Sequence, residues 1–251
     1  MINLQWLPPE LEAGTALVLV VISFVTSAIS ATFGLGGGVA MLIALLSLVP
    51  PIVALPVHAL VQVGSNAGRA WMLRPHIMRT VFLWFLPGSI LGILIASQLI
   101  VSLPTTVLQV ALAIFILWSV WAPGMGKREL SDPAFIAVGA VTSFATMFLG
   151  ATGPLLAAFL SPSLYGRDRT VATHAACMTL QHLLKLLAFG FLGFVLAEWL
   201  PLVVAMIISG LLGTHFGGTL LRRFSEDSFK KIFKVILTLL ALRLLVRSTM
   251  A

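Results

Sequence analysis

The sequence predicts an all-α polytopic membrane protein: two inverted repeats of about five helical segments each, with short or broken helices after glycine-rich motifs. Three observations predict it. First, hydrophobic residues make up 59% of the 251, while Asp, Glu, Lys and Arg together make up 9%, far below the quarter or so of an ordinary soluble domain. Second, the mean hydropathy is +1.09, and apolar runs such as 13–29, 81–101 and 107–121 are long enough to cross a hydrocarbon core roughly 30 Å thick. Third, a shift of 116 positions maps the chain onto itself: Val25-Thr26-Ser27 onto Val141-Thr142-Ser143, Ser30 onto Thr146, Gly34 onto Gly150, and Gly37 onto Gly153.

Taken in order, residues 1–14 form a short amphipathic lead containing Trp6, Pro8 and Pro9, suited to the membrane interface. Glu10 and Glu12 stand where a signal peptide would carry basic residues, so the first apolar run reads as a retained helix over 13–33. Gly34-Leu35-Gly36-Gly37-Gly38 interrupts it. Glycine inside a helix costs roughly 1 kcal/mol, so four in five residues predict a break. Residues 39–49 form a short apolar segment closed by Pro50-Pro51, and 52–73 a third helix. The basic loop Arg74–Arg79 follows. A helix over 81–101 has Gly88, Gly92 and Ala96 spaced four apart, a ridge suited to close helix packing. Pro104 opens a fifth helix that ends near Trp121.

The stretch 123–132 is the expected linker, dividing a first repeat (1–122) from a second (133–251). The second repeat runs through a helix over 133–149 and the break Gly150-Ala151-Thr152-Gly153-Pro154. A short segment to about Leu164 follows, then a helix over 170–189. A loop with Glu198 leads to a helix over 200–221, in which Ser209, Gly213 and Gly217 again lie four apart, and 229–246 is the last helix.

Loop charge orients the chain. With the N-terminus outside, Arg74, Arg79, Lys127, Arg128, Arg167, Arg169, Arg222 and Arg223 all fall on the cytoplasmic side, as the positive-inside rule requires. Arg243 and Arg247 are the exception. An odd number of segments per half inverts the second half relative to the first. The net charge of +7 is thus spent on topology rather than on nucleic acid.

Two helices carry polar stripes. His58, Gln62, Ser65, Asn66 and Arg69 fall on one face of the third helix. Under the same shift His174, Gln181, His182 and Lys185 follow, with Met178 where Gln62 stood. Such stripes are costly against lipid and predict a protein-lined or wet interior. No Asp or Glu lies within a predicted span, which favours an anionic cargo over a cation. The glycine breaks, at Gly36, Gly37 and Gly38 and at Thr152 and Gly153, are read as helix starts whose free N–H groups and partial positive charge meet that anion. Val39 and Leu155 would open the short helices. His58, His174 and His182 lack thiolate or acidic partners apart from Cys177, so no metal is expected. A single cysteine also excludes an internal disulfide.

Gly34-Leu35-Gly36-Gly37-Gly38 after an apolar helix, the Pro50-Pro51 turn and Gly150-Ala151-Thr152-Gly153-Pro154 resemble the sulfite exporter TauE/SafE family of membrane permeases. Val171-Ala172-Thr173-His174-Ala175, with Lys185 downstream, is similar to the same pattern. The resemblance covers nearly the whole chain and implies transport of sulfite or organosulfur anions such as sulfonates and sulfoacetate across the inner membrane.

The expectation is therefore a multi-pass inner-membrane carrier for a small sulfur oxyanion, working by alternating access, without cofactor or metal. Its partners are membrane lipid and the anionic substrate, not nucleic acid, and a homodimer is one assembly open to it. The binding set is Gly36, Gly37, Gly38, His58, Gln62, Asn66, Arg69, Thr152, Gly153, His174, Gln181, His182 and Lys185. No Walker-type loop is present, so a gradient would supply the energy. An anion channel is the alternative, and a membrane-embedded enzyme, lacking an evident nucleophile–base pair, a more distant one.

Overall fold

A computed structural model describes residues 11–33, 36–100, 104–121, 130–160, 162–220 and 226–250, and those residues are helical with no strand among them. The lead 1–10, Gly34 and Leu35, most of the expected linker (122–129), and the turn carrying Arg222 and Arg223 lie outside the described residues. The helices are α1 (Ala13–Phe33), α2 (Gly37–Leu48), α3 (Pro51–Met72), α4 (Arg79–Ile100), α5 (Thr105–Trp121), α6 (Phe135–Leu149), α7 (Gly153–Ala157), α8 (Pro162–Tyr165), α9 (Arg167–Phe191), α10 (Leu200–Leu220) and α11 (Glu226–Met250).

Four of them are long and apolar enough to cross a membrane: Ala13–Ser30, Arg79–Ile100, Asp132–Leu149 and Leu196–Phe216. The chain is a multi-pass helical membrane protein. Its surface agrees, since α1 turns out Leu17, Val18 and Val21, α4 turns out Leu83, Leu91 and Leu94, and α11 turns out Val235, Ile236 and Leu239. In water such an apolar surface would be a liability; in lipid it is the required solvent contact.

The starts of the short helices differ from expectation. α2 begins at Gly37 rather than Val39, because Gly36 at its N-cap takes φ 101°, a conformation glycine alone reaches cheaply. Its 12 residues rise only about 18 Å, well short of the bilayer core. Met41, Leu42, Ile43 and Leu45 are all buried around its circumference, as expected of an apolar helix enclosed by others. After the second break the expected single segment to Leu164 is two short pieces, α7 and α8. α7 opens at Gly153 rather than Leu155, and α8 opens on a second proline, Pro162, a residue that favours a new first turn over the continuation of an old one.

The pairing of the long helices positions the site. α1 packs along α10, α4 along α6, α3 against α9, and α5 against α11. The α4–α6 seam is built by glycine. A Cβ on Gly88 would collide with the Ile136 carbonyl, one on Gly92 with the Ala140 carbonyl, and one on Gly139 with the Phe85 carbonyl. At the α1–α10 seam, Ser23 Oγ donates to Met206 O at 2.7 Å and Ser209 Oγ to Val20 O at 2.7 Å. These bonds tie hydroxyls to carbonyls where no water competes.

The seams give a stability prediction. Gly92→Val drives a side chain into the backbone of α6 and should cost about 2–4 kcal/mol, in the range of severe core disruption. Gly190→Ala, whose Cβ meets nothing within 4 Å, should be neutral or stabilising by up to about 1 kcal/mol. Thermal melts of the purified protein in detergent separate the two; equal midpoints would show the seam to be loose.

Candidate functional site

The two breaks place backbone polar groups inside the bundle, and α3 and α9 carry the side chains that meet them. Gly38 and Gly153 lie in the first turns of α2 and α7, and the carbonyl of each has a second lone pair that a side chain can reach. His58 Nε2 donates to Gly38 O at 2.9 Å and His174 Nε2 to Gly153 O at 3.0 Å. A carbonyl can only accept, so both imidazoles carry their proton on Nε2 here. The two equivalent histidines of the sequence are thus equivalent in contact as well, one on each break.

Behind the second break lies a dry network. Lys185 is fully buried, and its Nζ donates to Thr146 O and Gly150 O, each at 3.2 Å. These carbonyls close the C-terminal end of α6, where Gly150 (φ 72°) turns the chain. A cation at a helix C-terminus satisfies unpaired carbonyls and complements the dipole. Gln181 Nε2 donates to Thr142 Oγ1 at 2.6 Å and Ser143 Oγ at 2.9 Å, and its Oε1 accepts from Thr152 Oγ1 at 3.4 Å. All four of these side chains are buried.

In front of the breaks is a cavity of about 50 Å3. Gly36, Gly38 and Val39 of the first break line one wall, and Ala151, Gly153 and Pro154 of the second another. His58, Gln62, Asn66 and Arg69 enter from α3, His174, Met178 and His182 from α9, and Ser30 from α1. No carboxylate is among these residues, and no cluster of potential metal ligands exists among the described residues. Asn66 Nδ2 is committed to Gln62 O at 2.9 Å and Gln62 Oε1 at 3.0 Å. His58 Nδ1 and both ring nitrogens of His182 are buried without a partner, with the two rings edge to face at 5.5 Å between centroids. Buried polar atoms are ordinarily paired, so three orphans on two neighbouring rings are exceptional.

Nine expected site residues therefore meet at one cavity: Gly36, Gly38, His58, Gln62, Asn66, Arg69, Gly153, His174 and His182. Four are placed elsewhere. Gly37 faces α1, where a Cβ would collide with the Thr26 carbonyl, so it is a packing glycine. Thr152, Gln181 and Lys185 stand in the network behind the wall, where the hydroxyls of Thr142 and Ser143 hold Gln181 and the C-terminal carbonyls of α6 hold Lys185. Sequence reasoning missed the use of Thr142 and Ser143 as acceptors for Gln181, although their recurrence after 116 positions marked them.

It also missed a larger vestibule of about 400 Å3, lined by Ser65, Gly68, Arg69 and Met72 of α3, Leu73 just after it, Arg167, Asp168 and Val171 of α9, Leu211 and Thr214 of α10, and Ser30. Arg69 and Ser30 line both spaces, so Arg69 stands where the vestibule meets the cavity. No hydrogen bond or ion pair joins its guanidinium to another described residue. The sequence signal was present in Ser65, on the polar stripe, and in α9 starting at Arg167 rather than at 170, which brings Asp168 into its first turn.

Fold and site together define a polytopic helical membrane protein with a positively biased, acid-free cavity enclosed between two helix breaks. The pattern of the family described as Sulfite exporter TauE/SafE matches residues 19–244, and the chain belongs to that family, which is one of transporters. Neither the curated proteins nor the solved structures compared with it gave a match.

The network behind the wall is testable. Gln181→Leu removes both donors from Thr142 and Ser143 in a dry site and should destabilise the protein by about 1–3 kcal/mol, read as a lower melting midpoint in detergent. Gln181→Glu should be at least as damaging, since it buries a charge among hydroxyls. An unchanged midpoint in both variants would remove the network from the structure's supports.

Proposed function

We propose that the protein is a secondary carrier moving a small sulfur-containing oxyanion, of the sulfite, sulfonate or sulfoacetate class, across the inner membrane by alternating access. The observation that carries this reading is the inner cavity, which is lined by three histidines, two amide side chains and Arg69 and by no carboxylate. At its wall α2, 12 residues long, begins at Gly37. The positive end of its dipole would then lie beside the space that Gly36, Gly38 and Val39 line, on the side where an anion is favoured. Charge-assisted bonds to oxyanions are the strong kind, and a guanidinium matches two oxygens of such an anion at once.

The packing supports a repeat of inverted halves. The first helix of each half lies on the fourth helix of the other (α1 on α10, α6 on α4), while α3 meets α9 and α5 meets α11. A pseudo-twofold axis in the membrane plane would produce that exchange, with a shared site between the broken helices. On this reading 1–122 and 133–251 are the two moving units and 123–132 the connection. With the N-terminus outside, the vestibule beside Arg167 opens to the cytoplasm. The other side is closed by apolar packing of Leu45, Leu46, Val49, Leu55, Phe189 and Trp199. This conformation is then the inward-facing one, and rocking of the halves would open the opposite face.

Arg69→Gln tests the reading. It removes the cation between vestibule and cavity and should weaken anion binding by about 1.5–3 kcal/mol, ten- to hundred-fold, with little change in melting midpoint. Counterflow of radiolabelled sulfite in proteoliposomes is the measurement. Saturable, trans-stimulated flux that falls in the variant supports a carrier. Flux without trans-stimulation would indicate a channel, and chemical conversion of the sulfite an enzyme.

A further inference from the structure

We propose that Lys185 is a tethered stand-in for a coupling cation, its ammonium filling a carbonyl-lined site beside the anion cavity, so that transport needs no sodium ion. The proposal rests on the carrier reading and adds to it the nature of the coupling. The geometry that carries it is the end of α6. Lys185 Nζ donates to Thr146 O and to Gly150 O, each at 3.2 Å, and the Thr146 hydroxyl donates to the same Gly150 carbonyl at 3.4 Å. Thr146, Gly150 and Lys185 are all buried. Carbonyls at the C-terminal end of a broken helix are groups with which carriers built of inverted halves hold sodium. They carry the negative end of the helix dipole. Here an ammonium reaching over from α9 takes that place, and a free cation at the same carbonyls would lie against it and be repelled.

The fixed charge stands next to the cavity. Gly150 immediately precedes Ala151, and Lys185 follows His182 by one helical turn; Ala151 and His182 both line the cavity. No carboxylate lines that space, and the bonds of Lys185 among the described residues go to carbonyls alone. Its charge is held without being neutralised, as that of a bound ion would be. An anion in the cavity therefore has a cation beside it that requires no binding step of its own.

Arg69, the equivalent of Lys185 under the shift of 116, does not duplicate this role. Its guanidinium makes no bond to another described residue and lies where vestibule and cavity meet. One cation of the pair is locked to the frame and the other is left to the cargo. A brace and a tethered ion differ in what can replace them. If Lys185 acts as an ion, a free cation of the right size restores function once the side chain is cut away. An uncharged chain of the same bulk does not.

The experiment is counterflow of radiolabelled sulfite in proteoliposomes of the full-length protein, in sodium medium and in N-methyl-D-glucamine medium. Wild-type flux should agree within two-fold between the two. Lys185→Ala empties the place of the ammonium and should lose at least ten-fold of the flux in N-methyl-D-glucamine. Sodium, or propylammonium, which matches the missing part of the side chain, is then supplied throughout purification and assay. Either should bring the flux of Lys185→Ala back to within three-fold of wild type. Lys185→Met fills the space with an uncharged chain and should stay low in every medium. Melting midpoints in detergent give a second reading, since propylammonium should raise that of Lys185→Ala and leave that of Lys185→Met unchanged. Wild-type flux that falls more than two-fold without sodium would overturn the proposal, as would a Lys185→Ala flux that is undiminished or that neither cation restores. Each of these leaves the carrier reading intact. Absence of saturable counterflow by the wild type in every medium would overturn the carrier reading itself. The wild-type comparison of media decides the matter even if neither variant folds.

Discussion

A polar side chain inside an apolar bundle has no water to turn to, and this molecule gives the donors of two helices four backbone carbonyls to bond. Each unsatisfied group in that setting costs several kcal/mol. Gly38 O and Gly153 O are met by His58 and His174, and Thr146 O and Gly150 O by Lys185. Every one of these donors comes from α3 or α9. These donors of the two polar stripes thus find their partners at and beside the two glycine breaks. Around those bonds α3 packs against α9 and α2 lies within the bundle, with α1, α4, α6 and α10 forming the lipid-ready seams outside them.

The same constraint separates structural from available polar groups. Under the 116-residue shift Lys185 and Arg69 are equivalents, as are His182 and Asn66. Their fates differ. Lys185 is consumed by the end of α6 and Gln181 by Thr142 and Ser143, so the second half keeps a closed, saturated network. In the first half Arg69 faces both the vestibule and the cavity, and across the space His182 retains two unpartnered nitrogens. The two equivalent stripes therefore differ in use: Lys185 and Gln181 are committed to α6, while Arg69 stands at the cavity without a bond to its guanidinium.

How much of this was legible in the residues depends on range. The glycine clusters, the stripes and the shift of 116 are local or periodic, and they led to the breaks, to α3 and α9, and to nine residues that share one cavity. Periodicity places a side chain on a face but does not say what it bonds to across the bundle. For that reason the stripe alone cannot tell that Lys185 bonds the end of α6 and Gln181 the hydroxyls of Thr142 and Ser143, or that Gly37 packs closely on α1. The vestibule was harder still, because it draws on α1, α3, α9 and α10 together and most of its members carry no chemistry of their own. The five-residue α7 was also hidden; the proline pair Pro154 and Pro162 breaks a segment whose apolar composition otherwise matches α2.

An acid-free cavity also bears on how such a protein handles its own charge. Lys185 and Arg69 lie toward the bundle interior with no carboxylate among the cavity-lining residues to neutralise them, and an unpaired charge in a low-dielectric interior is expensive. Lys185 offsets part of this with carbonyl dipoles, which hold a cation without cancelling it. The remaining imbalance is one an incoming anion would relieve, and a cation would worsen. On the proposed reading the cargo would stand in for a counter-ion, and the cost of the unpaired charge in the empty site would add to the free energy of binding it.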